Sequence, residues 1–280
     1  MEVLKVKYGT PEAATRFCHS LKTTGFAVLT DHPIPMELVN RVYDNWAQFF
    51  KSEEKHQYTY KVDSQAGFFP FRSENAKDSP VKDLKEFFHV YPRSALPAFL
   101  ESDTWELYNA LTRLGKELLN WVQIASPDEV KKNFSMPLSD MVTDSQENLL
   151  RILHYPPLQG TEEQGAIRAA AHEDINLITL LCSATASGLE VKDTQGNWHQ
   201  VPCDAGSIAI NAGDMLQLAS KGYYQSTTHR VMNPIGESAK YPRYSMPLFL
   251  HPRPEVVLSD GISAGQFLKQ RLQEIGLLKK

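Results

Sequence analysis

The 280-residue chain is expected to adopt an α+β fold with a mainly β core, a sandwich or small barrel carrying helices on its outside. Three observations lead there. Up to residue 146 the apolar residues recur mostly at helical spacing, and from 147 onward they fall into short β-type runs between turn signals. No internal repeat, low-complexity tract or Gly/Ser linker separates the two textures. The expected layout is one domain over 1–280: a helix-rich region at 1–146 packed on a β core at 147–255, closed by a C-terminal helix at 256–280.

The helical signals come first. "PEAATRFCHSLKTTG" has Pro11 near its start and Gly25 just past its end, the usual punctuation of a helix. "PMELVNRVYDNWAQFFKSEEK" repeats Leu38, Val42, Trp46, Phe49 and Phe50 three or four residues apart, and "TWELYNALTRLGKELLNWVQ" has the same period. Between these two lies "GFFPFRSENAKDSPVKDLKEFFHVYPR", rich in turn residues and aromatics, which reads as a connector. Strands are then expected at "NLLRILHYPP", "INLITLL", "GLEVKD", "TQGNWHQVP", "SIAINAGDMLQLAS", "STTHRVMNP" and "RYSMPLFLHP". "DTQG" marks a hairpin, while Gly213 and Gly222 read as turn residues. "SAGQFLKQRLQEIGLL" is the closing helix.

Composition removes several classes of function. A net charge of −4 with scattered Lys and Arg offers no footprint for nucleic acid. Cys18, Cys182 and Cys203 form no Cys-x-x-Cys pair and read as free thiols in a reducing compartment. The N-terminus lacks the apolar stretch of a signal peptide, and no run approaches the roughly 18 to 20 apolar residues that cross a bilayer. A cytoplasmic protein with no membrane or nucleic-acid partner is expected.

The chemistry concentrates in "AAHEDINLITLL", residues 170–181. Side chains two apart on a strand share a face, so His172 and Asp174 can converge on one ion while Glu173 turns away. By itself His-x-Asp also fits a polar strand end. His229, on a later expected strand, changes the balance, because two histidines and a carboxylate form the facial triad of non-heme iron(II) oxygenases. Arg243 and Ser245 are again two apart, and a guanidinium with a hydroxyl aimed inward makes a carboxylate receptor. A bare arginine facing a barrel core would be costly without such a partner. His32 and His251, beside prolines, read as structural, and Arg72 and Arg151 as surface-paired arginines or anchors for an anionic substrate.

"HED", "NAGDMLQLASKGYYQSTTHRVMNP" and "RYSMPLFLHP" resemble the iron(II)/2-oxoglutarate-dependent oxygenases of the isopenicillin N synthase-like group, the iron/ascorbate oxidoreductases. "GFAVLTDHPIP", "FFKSEEK" and "GFFPFRSENAKDSPVKDLKEFF" match the family's N-terminal order. The resemblance implies a double-stranded β-helix (jelly-roll) barrel. It implies His172, Asp174 and His229 as iron ligands, with Arg243 and Ser245 gripping the far carboxylate of 2-oxoglutarate. In "LLRILHYPP", Tyr155 fills a family tyrosine position that helps to hold the co-substrate, but Leu153 stands where an asparagine is common. Phe69, Phe71 and His154 are the candidate substrate contacts.

The implied activity is oxidative decarboxylation of 2-oxoglutarate coupled to hydroxylation, desaturation or cyclisation of a small molecule. Iron(II), 2-oxoglutarate and dioxygen would be required, with ascorbate as a further reductant, and the protein is expected to be a monomer. The alternatives are an iron(II) oxidase of the same fold that does not use 2-oxoglutarate, which Leu153 leaves open, and a barrel that only binds.

Overall fold

In the computed structural model, which describes residues 1–74 and 81–274, the fold has three layers: helices, a large sheet and a small sheet. The N-terminal half contributes β1 (Lys5–Lys7), α1 (Ala13–Thr24), β2 (Phe26–Thr30), α2 (Met36–Lys51), β3 (Gly67–Phe69), β4 (Glu86–Val90) and α3 (Ala98–Ala125). Two short helices follow, α4 (Asp128–Lys131) and α5 (Leu138–Met141). The β-rich half runs through β5 (Leu149–Tyr155), β6 (Ala169–His172), β7 (Ile178–Cys182), β8 (Leu189–Lys192), β9 (Trp198–Gln200) and β10 (Ile208–Ala212). It ends with α6 (Asp214–Ala219), β11 (His229–Val231), β12 (Arg243–Leu250), β13 (Val257–Ser259), β14 (Ile262–Ser263) and α7 (Ala264–Glu274).

The large sheet has the order β1-β2-β10-β7-β12-β5-β4-β3 and the small one β6-β11-β8-β9. Apart from the parallel edge pair β1 and β2, the neighbours are antiparallel. Strand alternation gives the large sheet two different faces. On β5, Leu150 and Ile152 join the helix-side core, where Leu38, Val42, Trp46 and Phe49 of α2 pack beside Leu107, Leu111 and Leu118 of α3. Leu153 and Tyr155 instead join Phe26, Val28, Phe69, Phe87, Leu189, Val191 and Val231, a second cluster that fills the space between the sheets.

Local expectations hold where the signal is periodic. α1 ends at Gly25, whose φ of 74° is the left-handed cap and whose N–H donates to the Leu21 carbonyl oxygen. β8 and β9 form the hairpin around "DTQG". Three expectations are corrected. The aromatic connector contains β3 and β4, which extend the large sheet beyond β5. β1 to β4 therefore carry the sheet architecture well ahead of residue 147, because short strands with aromatic faces lack a long period-two signal. The run "SIAINAGDMLQLAS" splits into β10 and α6, since its second half has helical spacing that the preceding alternation masks. The last residues expected in the closing helix, 275–278, lie outside the described residues.

Gly213, at the start of α6, is less a turn residue than a close contact. A Cβ there would lie 2.2 Å from the Asn176 carbonyl oxygen, and its N–H donates to the Leu177 carbonyl oxygen. Gly213→Ala is expected to cost about 2 to 3 kcal/mol by forcing the 174–177 segment outward. Urea unfolding of the metal-free protein checks this. An unchanged midpoint would mean that the segment yields freely.

Candidate metal centre

His172 ends β6, His229 begins β11, and the two are register partners in the small sheet. Asp174 lies two residues past β6, on the path towards the large sheet. One ligand atom from each of the three lies within 4.8 Å of the others. Asp174 Oδ1 is 3.8 Å from His172 Nε2 and 3.7 Å from His229 Nε2.

The outer atom of each side chain is already committed. His172 Nδ1–H donates to the Ala170 carbonyl oxygen at 2.7 Å, and His229 Nδ1–H to that of Thr227 at 3.1 Å. A carbonyl can only accept, so these bonds put the proton on Nδ1 and leave both Nε2 lone pairs facing Asp174. Asp174 Oδ2 accepts from Asn211 Nδ2 at 2.8 Å and from Thr179 Oγ1 at 2.6 Å, which leaves Oδ1 free. Burial pushes the Asp174 carboxyl up, but His229, His172 and these two hydrogen bonds outweigh it and hold the carboxyl below its ordinary range. Burial, then the neighbouring His229, lowers His172 to about 4. Both groups are therefore in the deprotonated form that a metal requires at neutral pH.

In the large sheet, β12 pairs with β5 so that Arg243 faces Tyr155 and Ser245 faces Leu153. The Arg243 guanidinium is buried with its carbon 5.1 Å from the Tyr155 ring centroid. Its Nε donates to the Ala186 carbonyl oxygen at 2.9 Å, whereas Nη1 is buried and finds no acceptor among the described residues. One edge of the guanidinium is anchored and another is left open, which suits a carboxylate. Iron(II) fits the free Nε2, Nε2 and Oδ1 set, and a dicarboxylate fits the open guanidinium.

Comparison with known proteins agrees on what such a site belongs to. The sequence profile of the 2OG-Fe(II) oxygenase superfamily matches residues 146–252, and that of the "non-haem dioxygenase in morphine synthesis N-terminal" region matches 6–109. A 2-oxoglutarate-Fe(II) type oxidoreductase of Emericella nidulans is 30% identical, over 89% of this chain and 78% of that protein. This chain is a 2-oxoglutarate- and iron(II)-dependent oxygenase. A Shewanella oneidensis protein solved as a candidate oxygenase is 49% identical, with a TM-score of 0.90 over 99% of this chain and 100% of that one. A full-length Neurospora crassa protein solved with alpha-KG and 5-formyluracil is 25% identical, with a TM-score of 0.78 over 96% and 94% of the two chains. The fold is accordingly the jelly roll of these oxygenases, and the activity requires iron(II), 2-oxoglutarate and dioxygen. Among the described residues no helix is long and apolar enough to cross a membrane.

The oxygenase places the other singled-out residues less uniformly. His154 does not face the barrel interior, which corrects its reading as a substrate contact. It lies on the helix side of β5, stacked on Tyr244 at 4.8 Å, with Nδ1 2.7 Å from Glu86 Oε1. Two-residue alternation decides this, since Leu153 and Tyr155 take the inner face. Phe69 is buried between the rings of Tyr60 and Phe87, and Phe71 is exposed. Arg151 pairs with Glu74 and donates to His89, while Arg72 pairs with Glu163. Glu173 accepts from Thr228 Oγ1. Burial lowers His251 to about 4.

Sequence reasoning missed Thr179 and Asn211, the two donors that hold Asp174. The available signal was a lone polar residue inside each of the apolar runs "LITLL" and "AINA", where an unpartnered side chain would be costly. Arg168 was also missed. It lies just before β6, whose pairing with β11 shifts register between Ala169 and His172, so no simple alternation leads from His172 to it.

Proposed function

We propose that His172 and His229 through Nε2, and Asp174 through Oδ1, are the iron(II) ligands of this oxygenase. In the same proposal Arg243, Ser245 and Tyr155 receive the far carboxylate of 2-oxoglutarate. The observation that carries the reading is the set of three free ligand atoms within 4.8 Å, each oriented by a bond to its outer atom. Iron(II) bound there supplies, with 2-oxoglutarate and dioxygen, the oxidative decarboxylation that drives oxidation of a substrate carbon.

The protein's own part is orientation and exclusion of water. Asn211 and Thr179 fix which carboxylate oxygen of Asp174 is offered, and the Ala170 and Thr227 carbonyls fix the two imidazoles. Phe26, packed edge-on at 5.5 Å against His229, and the surrounding apolar cluster keep the inner side dry. The His172 side chain is 37% exposed against 9% for His229 and 5% for Asp174, so the substrate is read as approaching from the His172 side. We take that substrate to be a small molecule that meets the exposed Phe71, with Phe69 backing the connector between Tyr60 and Phe87. The reading includes the isopenicillin N synthase-like branch, a monomer and a cytoplasmic location, which the buried free thiols Cys18 and Cys182 support.

The test is succinate formation. Iron(II)-loaded protein under air is expected to convert 2-oxoglutarate to succinate slowly alone and at least about tenfold faster with a substrate from a metabolite screen. Leu153, apolar and buried opposite Ser245, adds no hydrogen bond to this set. Oxygen uptake with substrate but without succinate would overturn the reading.

A further inference from the structure

Beside Arg243 the barrel interior holds a second guanidinium to which no role has yet been given. Arg168 is 1% exposed, and its guanidinium carbon lies 5.8 Å from the same Tyr155 ring that Arg243 approaches. Only Nη2 is engaged, donating to the Tyr241 carbonyl oxygen at 3.3 Å. Nε and Nη1 are buried and find no acceptor among the described residues. The ionisable groups acting on it are Arg243 and the Tyr155 phenol. The contrast within the same molecule is Lys85, a buried cation with Glu74 and Asp83 each at 2.8 Å.

Two buried guanidiniums close enough to repel, with three N–H-bearing nitrogens unpaired between them, form a costly arrangement unless an anion sits there. Burial first, then Arg243, lowers Arg168 to about 10, so it remains charged at neutral pH.

Exposure to solvent bears on which anion fits. Side-chain exposure is 37% for His172 and 9% for His229. It falls to 2% for Arg243 and 1% for Arg168 as whole residues. The arginines are thus shielded from solvent, whereas His172 is reached by it. A substrate arriving from solvent meets the metal ligands first, whereas a co-substrate that chelates the metal with one end extends its other end inward. Leu153 also takes a neutral donor away from the position facing Ser245.

We propose that Arg168 is a second binding residue for the far carboxylate of 2-oxoglutarate, sharing it with Arg243 and supplying hydrogen bonds that Leu153 cannot give. A carboxylate has about four acceptor sites, enough for one N–H from each of the three open nitrogens. The inference rests on the iron and co-substrate site proposed above.

Anaerobic calorimetry of the iron(II)-loaded protein tests it with two probes, 2-oxoglutarate and 2-oxopentanoate, which keeps the keto acid but ends in a methyl group. Arg168→Met is expected to weaken 2-oxoglutarate binding by about 10- to 100-fold and to change 2-oxopentanoate by less than about threefold. Arg168→Lys, which keeps the charge and loses the fork, should fall between wild type and Met on 2-oxoglutarate alone, and serves if the Met variant does not fold. Equal weakening of both probes would mean a structural role and overturn the inference. So would unchanged 2-oxoglutarate affinity in a folded variant while Arg243→Met weakens it. If Arg243→Met is itself without effect on 2-oxoglutarate, the anchor reading under Proposed function fails first.

Discussion

Asp174→Ala is expected to lower iron(II) affinity by at least about a thousandfold and to take succinate formation below detection. A carboxylate is the only anionic member of the triad, so its loss leaves two neutral imidazoles to hold a divalent cation. The loss reaches further, because Asp174 Oδ2 is also the acceptor for Asn211 and Thr179. With the carboxylate removed, a buried amide and hydroxyl lose a partner, at about 1 to 3 kcal/mol. Two measurements separate the effects. Anaerobic calorimetry with iron(II) reads the ligand role, and urea unfolding of the metal-free variant reads the scaffold role. Near-native iron affinity in Asp174→Ala would remove the carboxylate from the triad. Asn211→Ala, which keeps the ligand and disturbs its orientation, is expected to fall between, at about 10- to 100-fold in affinity.

Arg243→Met is expected to raise the dissociation constant of 2-oxoglutarate by about 100- to 1000-fold while leaving iron(II) binding within a few fold. The magnitude follows from a charge-assisted contact in a dry interior, where removing one partner costs roughly 3 to 4 kcal/mol. The Arg243 side chain is held by the Ala186 carbonyl through Nε, so its open edge is presented without a search through rotamers. The variant also relieves repulsion with Arg168, so ligand-free stability should fall by less than an ordinary buried truncation costs. Calorimetry and unfolding of the same preparation check both parts. If 2-oxoglutarate binds Arg243→Met as it binds wild type, the co-substrate lies elsewhere.

Much of this was legible in the sequence, for identifiable reasons. His172, Asp174, Arg243 and Ser245 sit two apart within extended segments, so strand geometry alone predicts which pairs share a face. His229 could be added because chemistry demands a third ligand. Long helices such as α2 and α3 announce themselves through repeated spacing. What stayed hidden depends on partners remote in the chain. β3 has three residues, too few for a period, and becomes a strand by pairing with β4. His154 and Tyr155 are adjacent, and only sheet packing decides which of them faces the barrel interior. Asn211 supports Asp174 across 37 residues, a relation that no local spacing encodes.

The partition of the triad between the sheets has a further consequence. His172 and His229 belong to the small sheet, whereas Asp174 is tied through Thr179 and Asn211 to β7 and β10 of the large one. An ion held by all three is therefore a rivet between the two layers, added to the bonds that join β6 and its approach to the segment before β4. Its binding free energy adds to the stability of the closed sandwich by mass action. Without the ion, the four-stranded layer, which has no helix on its outer face among the described residues to match α1 to α3 behind the large sheet, is the part free to open first. Loss of iron would in this way loosen the mouth of the barrel as well as stop the chemistry, so that an idle enzyme is also the one most open to proteolysis.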